Sequence, residues 1–499
     1  MANETMSTLD TEKPASLVAT GIPGFDDIVG GGLTPQRLYV IEGDPGAGKT
    51  TLALQFMLEG VRHREPVVYV TLSETRAELE GVARSHGWSL EGIHVHDLLP
   101  SQENLLPDSH TRMFHPSEVE LADTTRAILE EIEKRKPKRV VFDSLSEVRM
   151  LAQNPLRYRR QILALKQFFV GRDCTVLLLD DRTAEVNDLQ LHSIAHGVVT
   201  MEHLAQHYGA ERRRLRVMKM RGKNFRGGWH DFIIRRGGLE VFPRLVAAEH
   251  RSAFGTDYLK SGNASLDALV GGGLHRGTSV LILGPAGVGK STFALQYAAA
   301  AAQRGEHAAM FCFDESRATL FTRATGLGIE LRKHYDAGRI RLQQVDPAEL
   351  SPGEFAHVIR RTVDQHKSRV LIIDSLNGYL NAMPEERFLQ IHLHELLTYL
   401  GQQGVVTFLV VAQHGLLGST MQTPIDASYL ADTVLVLRFF EAQGKLRRAV
   451  SVLKKRSGEH EDSLREYKLT SNGIWVGDPL SEYHGVLHGT PTLLRPEAR

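Results

Sequence analysis

Cysteine is nearly absent. Cys174 and Cys312 are the only two in 499 residues, and no Cys-x-x-Cys pair exists. That excludes a zinc knuckle or a disulfide framework as the organising device, and it suits a reducing, cytoplasmic setting. An excess of one charge is also absent, because Lys+Arg and Asp+Glu each number 59. No global field therefore draws the chain to nucleic acid or to an anionic membrane, and neither is expected as a partner. No apolar run approaches the roughly 18 residues that would span a bilayer. The opening stretch MANETMSTLDTEKPAS carries acids and no apolar core. It reads as a flexible arm over residues 1–16, not as a signal peptide.

What remains is a globular composition, 42% apolar and 24% charged. Its length suggests two to four domains. Within it, GDPGAGKT (Gly43 to Thr50) matches the phosphate-loop pattern GxxxxGK[ST] at every fixed position. Gly43, Gly46 and Gly48 are expected to supply backbone angles closed to other residues and room for phosphate oxygens. With Ala47 between them, successive N–H groups form an anion nest at the positive end of a helix. Lys49 supplies a mobile ammonium, Thr50 a hydroxyl suited to Mg2+, and Thr51 continues the helix. The apolar run Leu38–Ile41 predicts the preceding strand. The same motif returns as GPAGVGKS (Gly284 to Ser291), with Gly287, Val288, Gly289, Lys290, Ser291 and Thr292 in the corresponding places.

The chain is a duplication. TGIPGFDDIVGGGL from Thr20 recurs as SGNASLDALVGGGL from Ser261. Lys290 stands 241 positions after Lys49, as Gly262 does after Gly21. RVVFDSLSE recurs as RVLIIDSLNG, and KMRG at Lys219 recurs as KKRS at Lys454. Four blocks in one order mean two copies of one domain. The expected domains are 17–247 and 248–480, with a tail over 481–499 and a linker over 245–257. Continuous apolar strands alternating with helices predict an α/β fold with a mainly parallel sheet, extended by antiparallel strands at the end of each copy. The first copy is expected to place helices at Ala77–His86 and Leu156–Val170.

Three residue sets carry chemistry. Asp143 and Asp374 end apolar strands, where a carboxylate beside a phosphate loop is placed to hold Mg2+ through water. The competing reading is a helix-capping aspartate. Glu74, and Asp314 with Glu315, end the strand after the phosphate-loop helix. There they are placed to orient or deprotonate a nucleophile, or simply to favour a helix start. Lys219 with Arg221, and Lys454 with Arg456, end late strands. Such pairs reach a γ-phosphate across a subunit boundary in arginine-finger fashion, or face solvent.

Taken together, the GGGL entries, two phosphate loops, FDSLSE and IDSLNG, DES after the second strand, and KMRG late in each half resemble the KaiC family of double RecA-type ATPases and autokinases. The resemblance spans about Thr20 to Val476. It implies tandem RecA-like domains, a homohexamer, and ATP with Mg2+ bound between neighbouring subunits. It also implies slow hydrolysis in the first tier and autophosphorylation on serine or threonine in the second. By position it assigns Lys219, Arg221, Arg448, Lys454 and Arg456 to the neighbour's nucleotide, Asp314 as the kinase-tier base, and Ser428 as phosphoacceptor.

This chain departs from the family pattern in places. Tyr429 replaces the second acceptor, Ser73 replaces the first glutamate of the first tier, and Leu327 replaces an aromatic near the adenine. The tail shows no match to a regulatory peptide, so small regulatory protein partners are not identifiable. Two other functions compete: a DNA-dependent RecA or helicase-type ATPase, and an ATP-gated scaffold with little turnover.

Overall fold

The computed structural model describes residues 16–97, 116–152, 154–182, 190–206, 208–346, 348–381, 389–413, 429–486 and 492–493. Two units emerge: Met1–His207 with Glu211–Arg244, and Tyr208–Ala210 with Leu245–Arg499.

In the first unit the strands are β1 (Leu38–Gly43), β2 (Val67–Thr71), β3 (Ile93–Asp97), β4 (Arg139–Asp143), β5 (Thr175–Asp181), β6 (Gly197–Leu204), β7 (Arg212–Met220), β8 (His230–Arg235) and β9 (Gly238–Phe242). They form one sheet ordered β3-β2-β4-β5-β1-β6-β7-β8-β9. The strands from β3 to β6 run parallel, and β6 to β9 form antiparallel hairpins.

The second unit begins with a short antiparallel pair, β10 (Tyr258–Leu259) and β11 (Leu274–His275). It then repeats the large sheet. Its strands are β12 (Ser279–Gly284), β13 (Ala308–Cys312), β14 (Ile340–Gln344), β15 (Val370–Asp374), β16 (Val406–Ala412), β17 (Thr433–Ala442), β18 (Lys445–Lys455), β19 (Arg465–Thr470) and β20 (Gly473–Pro479), in the order β14-β13-β15-β16-β12-β17-β18-β19-β20. These are tandem RecA-like α/β domains, as the duplicated pattern predicts.

The continuous apolar runs have a direct cause. Successive side chains alternate faces, and both faces are covered. Tyr39, Ile41, Tyr69, Val141 and Leu177 pack on one side against Leu52, Phe56 and Met57 of the helix Lys49–Arg62. Leu38, Val40, Val68, Val140 and Phe142 pack on the other against Leu145, Tyr158 and Ile162. Each such side chain contributes about 1.5–3 kcal/mol when fully buried. The expected helices occur one residue earlier than predicted, at Arg76–Ser85 and Pro155–Phe169.

The segment expected to be a linker is part of the second unit. Ala247 joins its core and donates its N–H to Glu395, and Ser252 donates its hydroxyl to the Gln402 carbonyl.

Candidate functional site

Both phosphate loops follow the central strand of their sheet and run into a helix whose first residue is the loop lysine. The helix N-caps are Gly48 at φ 99° and Gly289 at φ 109°, in the left-handed region. A Cβ there would lie 2.6 Å from Ile234 Cδ1 or 2.9 Å from Leu469 Cδ1. Glycine is thus required by angle, and a larger residue would also have to push aside a side-chain methyl. Gly46 and Gly287 share a φ near 75° (75° and 76°). Gly43 corrects the expectation of a special angle. It is an ordinary strand residue, and glycine is needed because a Cβ would sit 2.4 Å from the Met201 carbonyl oxygen. Gly284 approaches Leu437 in the same way. Ala47, Thr51, Val288 and Thr292 are buried behind the loops.

The lysines are buried too, yet they are held differently. Lys49 donates to the Gly43 and Asp44 carbonyls, both at 3.0 Å, and pairs with Asp181 at 2.7 Å. Lys290 donates to the Pro285 carbonyl at 2.8 Å. Burial pushes its pKa below the ordinary lysine range, with Asp374 opposing the shift.

The strand-end aspartates meet the loop hydroxyls. Thr50 Oγ1 donates to Asp143 Oδ2 at 3.1 Å, and Ser291 hydrogen-bonds Asp374. Burial raises both carboxyl pKa values, while these hydroxyl bonds lower them.

The acids after the second strand are not helix caps. Thr75 and Glu78 form the capping box of the helix Arg76–Ser85, and Ser316 caps Arg317–Gly326. Glu74 Oε2 is buried and, among the described residues, has no hydrogen-bond partner. Burial, and then the charge of Asp143, raise the Glu74 pKa. In the second unit Glu315 is gripped by Arg323 at 2.6 and 3.1 Å, and Arg323 also donates to Thr292 at 3.1 Å. Asp314 accepts from Ser375 at 2.6 Å. A cavity of about 500 Å³ opens here, lined by Gly287, Lys290, Glu315, Arg323, Leu327 and Leu469.

These surroundings fit a phosphate ester with a divalent cation: a nest of N–H groups, a buried ammonium, a hydroxyl beside a carboxylate, and an orphaned acid oxygen. Among the described residues no three His, Cys, Asp or Glu side chains form a metal site of their own. A cation at Thr50 and Asp143, or at Ser291 and Asp374, would therefore need oxygens from the phosphates, which is how Mg2+ is usually held.

The basic residues lie two strands from the loop strand and at the opposite end of the strands. Lys219 pairs in register with Val198, which neighbours Val40, whereas the loop leaves from Gly43. Lys219 Nζ donates to the Ala195 carbonyl at 2.9 Å, and Arg221 to that of Ser193 at 2.8 Å. Lys454 donates to Ala431 and Arg456 to Tyr429, at 2.9 and 2.8 Å. Arg448 departs from this group. It pairs with Phe439 and Tyr467, and Tyr467 donates to the Val288 carbonyl, so Arg448 stands at the edge of its own loop. Its counterpart Arg213 reaches the Gly46 carbonyl at 3.4 Å. Ser428 lies outside the described residues.

Sequence reasoning missed Asp181, Arg323 and Tyr69, whose hydroxyl donates to Asp143. The run Asp180-Asp181, closing an apolar strand as Asp143 does, was the available signal for the first.

This fold and site define a tandem P-loop ATPase of the RecA-like class. The sequence model of the KaiC ATPase family matches residues 18–246 and again 259–481. The chain belongs to that family. It is 27% identical over 493 residues to the circadian clock oscillator protein KaiC of Parathermosynechococcus lividus, covering 96% of this chain and 89% of that protein. It is 28% identical over 485 residues to the protein of the same name from Prochlorococcus marinus (strain MIT 9313), with 96% of each covered. The circadian clock protein KaiC3 of Synechocystis sp. (strain ATCC 27184 / PCC 6803 / Kazusa) is 26% identical over 481 residues, covering 95% of this chain and 94% of that protein. Among the described residues no helix is long and apolar enough to cross a membrane.

Proposed function

We propose that each half binds Mg·ATP at its phosphate loop and that a neighbouring chain completes each site within a homohexamer. One observation carries this reading: the loop and the basic pairs lie at opposite ends of the strands, the loop leaving the carboxyl end of the central strand and the basic pairs standing level with its start. Lys219 and Arg221, or Lys454 and Arg456, are thus remote from their own loop and serve another chain's nucleotide. Arg213 instead contacts its own loop, and Arg448 pairs in register with Tyr467, which does the same in the second half.

In the first half Glu74 orients water for slow hydrolysis. In the second, Asp314 takes a proton from the acceptor hydroxyl, Arg323 holds Glu315 in position, and the phosphoryl group passes to Ser428 of the neighbour. When bound, Mg2+ would neutralise developing phosphate charge at Thr50 with Asp143 and at Ser291 with Asp374. The names of the relatives favour a timing or signalling role.

Intact-mass analysis after incubation with Mg·ATP tests the kinase step. One added phosphate, lost in Ser428→Ala and in Lys290→Ala, is the expected result. Hydrolysis without any mass increase would leave an ATPase that is not an autokinase. Sizing with and without ATP tests the hexamer.

A further inference from the structure

The two lysines differ in what holds them, and the difference traces to one position. Asp181 is the last residue of β5 and sits in register with Gly43. Its carboxylate takes Lys49 at 2.7 Å, while two carbonyls take the remaining protons of the ammonium. The partner position in the second half, in register with Gly284, is Ala412. The two backbones correspond in detail. Ser146 Oγ accepts from the Asp181 N–H at 3.2 Å, and Asn377 Oδ1 accepts from the Ala412 N–H at 2.8 Å. The scaffold is repeated and the counter-charge is not.

We infer that Asp181 is a displaceable internal anion for Lys49, which a bound nucleotide must evict and which lowers the affinity of the first half alone. This rests on the proposal that both loops bind ATP. The Asp181 side chain is 31% exposed, so solvent screens part of the attraction although Lys49 itself is buried. The pair lies where phosphate oxygens would compete for the same ammonium. The carboxylate keeps a second contact, Ser146 Oγ at 3.4 Å, to which it can retire once displaced. No covalent step is involved. One ion pair is exchanged for another, and the free energy of the first is subtracted from that of binding.

The test uses the full chain, a fluorescent ATP analogue, and titration with Mg2+ and again with EDTA. In a Lys290→Ala background only the first half reports. Asp181→Asn and Asp181→Ala should each bind the analogue about five- to tenfold more tightly, with an unchanged thermal unfolding midpoint; roughly 1 kcal/mol corresponds to such a factor. In a Lys49→Ala background, Ala412→Asp should weaken the second half by a similar factor. Unchanged or weaker binding in the Asp181 variants overturns the inference, as does unaltered affinity in Ala412→Asp. Failure of the analogue to bind in either background would instead sink the ATP reading itself.

Discussion

The hydroxyl of Tyr69 donates to Asp143 Oδ2 at 2.5 Å, between the neighbouring strands β2 and β4. The phenol is fully buried, and burial followed by the Asp143 charge drives its pKa well above the ordinary value. It therefore remains a donor at any physiological pH. The second half has Met310 in the matching place, where no such bond is possible. Tyr69→Phe should lower the unfolding free energy of the first half by about 1.5–3 kcal/mol, as expected for a hydrogen bond to a charged group. Urea denaturation checks this. Met310→Phe, which touches no such bond, is the control.

The N-cap glycines give a second expectation. Gly289→Ala places a side chain at φ 109° and 2.9 Å from Leu469 Cδ1. The backbone cost alone is of order 1–3 kcal/mol. Nucleotide binding by the second half should fall at least tenfold, measured by titration in a Lys49→Ala background. The double variant Gly289→Ala, Leu469→Ala relieves the contact but not the angle, so only partial recovery is expected.

Placement at opposite strand ends, with the proposed sharing of sites, predicts complementation. In a Lys290→Ala background, Lys49→Ala and Arg221→Ala chains should each have little first-half ATPase activity. Mixed and reassembled, about a quarter of the sites join an intact loop to an intact arginine, if chains alternate at random around a closed ring. Recovery of that order is expected. Its absence would mean that the arginine serves its own chain.

His230 sets a pH dependence. It is buried, its Nε2 donates to the Arg226 carbonyl, and its Nδ1 accepts from the Arg244 N–H. Burial lowers its pKa to about 4. The unfolded chain takes up the proton near pH 6.5 and the folded chain does not. This contribution is therefore complete above about pH 6.5 and is lost as the pH falls toward 4, to a limit of roughly 3 kcal/mol. His230→Gln, which keeps one donor and one acceptor, should be less stable than the wild type at pH 7. The gap should close by pH 4.5 in urea unfolding.

Much of this was legible in the sequence because the phosphate loop is dense in constraint. Its glycines, lysine and hydroxyl each answer a separate steric or electrostatic need, and the pattern occurs twice. Apolar strands ending in aspartate were legible for the same reason. Less visible was anything depending on which strands are neighbours. Asp181 reaches Lys49 only because β5 lies beside β1, and Tyr69 reaches Asp143 only because β2 lies beside β4. Periodicity marks Tyr69 as an apolar strand residue and says nothing of its hydroxyl. The bidentate grip of Arg323 on Glu315 was hidden because it depends on how the helix after β13 is oriented.

The separation of loop and basic pair also restricts how such chains would combine. A two-fold pair would set loop against loop and basic tip against basic tip, leaving every site half-built. Only a head-to-tail contact brings a loop to a basic pair, and such a contact leaves one open face at each end until the circle shuts. On the proposed sharing of sites, an incomplete assembly would carry one deficient site per half, and catalytic capacity would be complete only when the last protomer is in place.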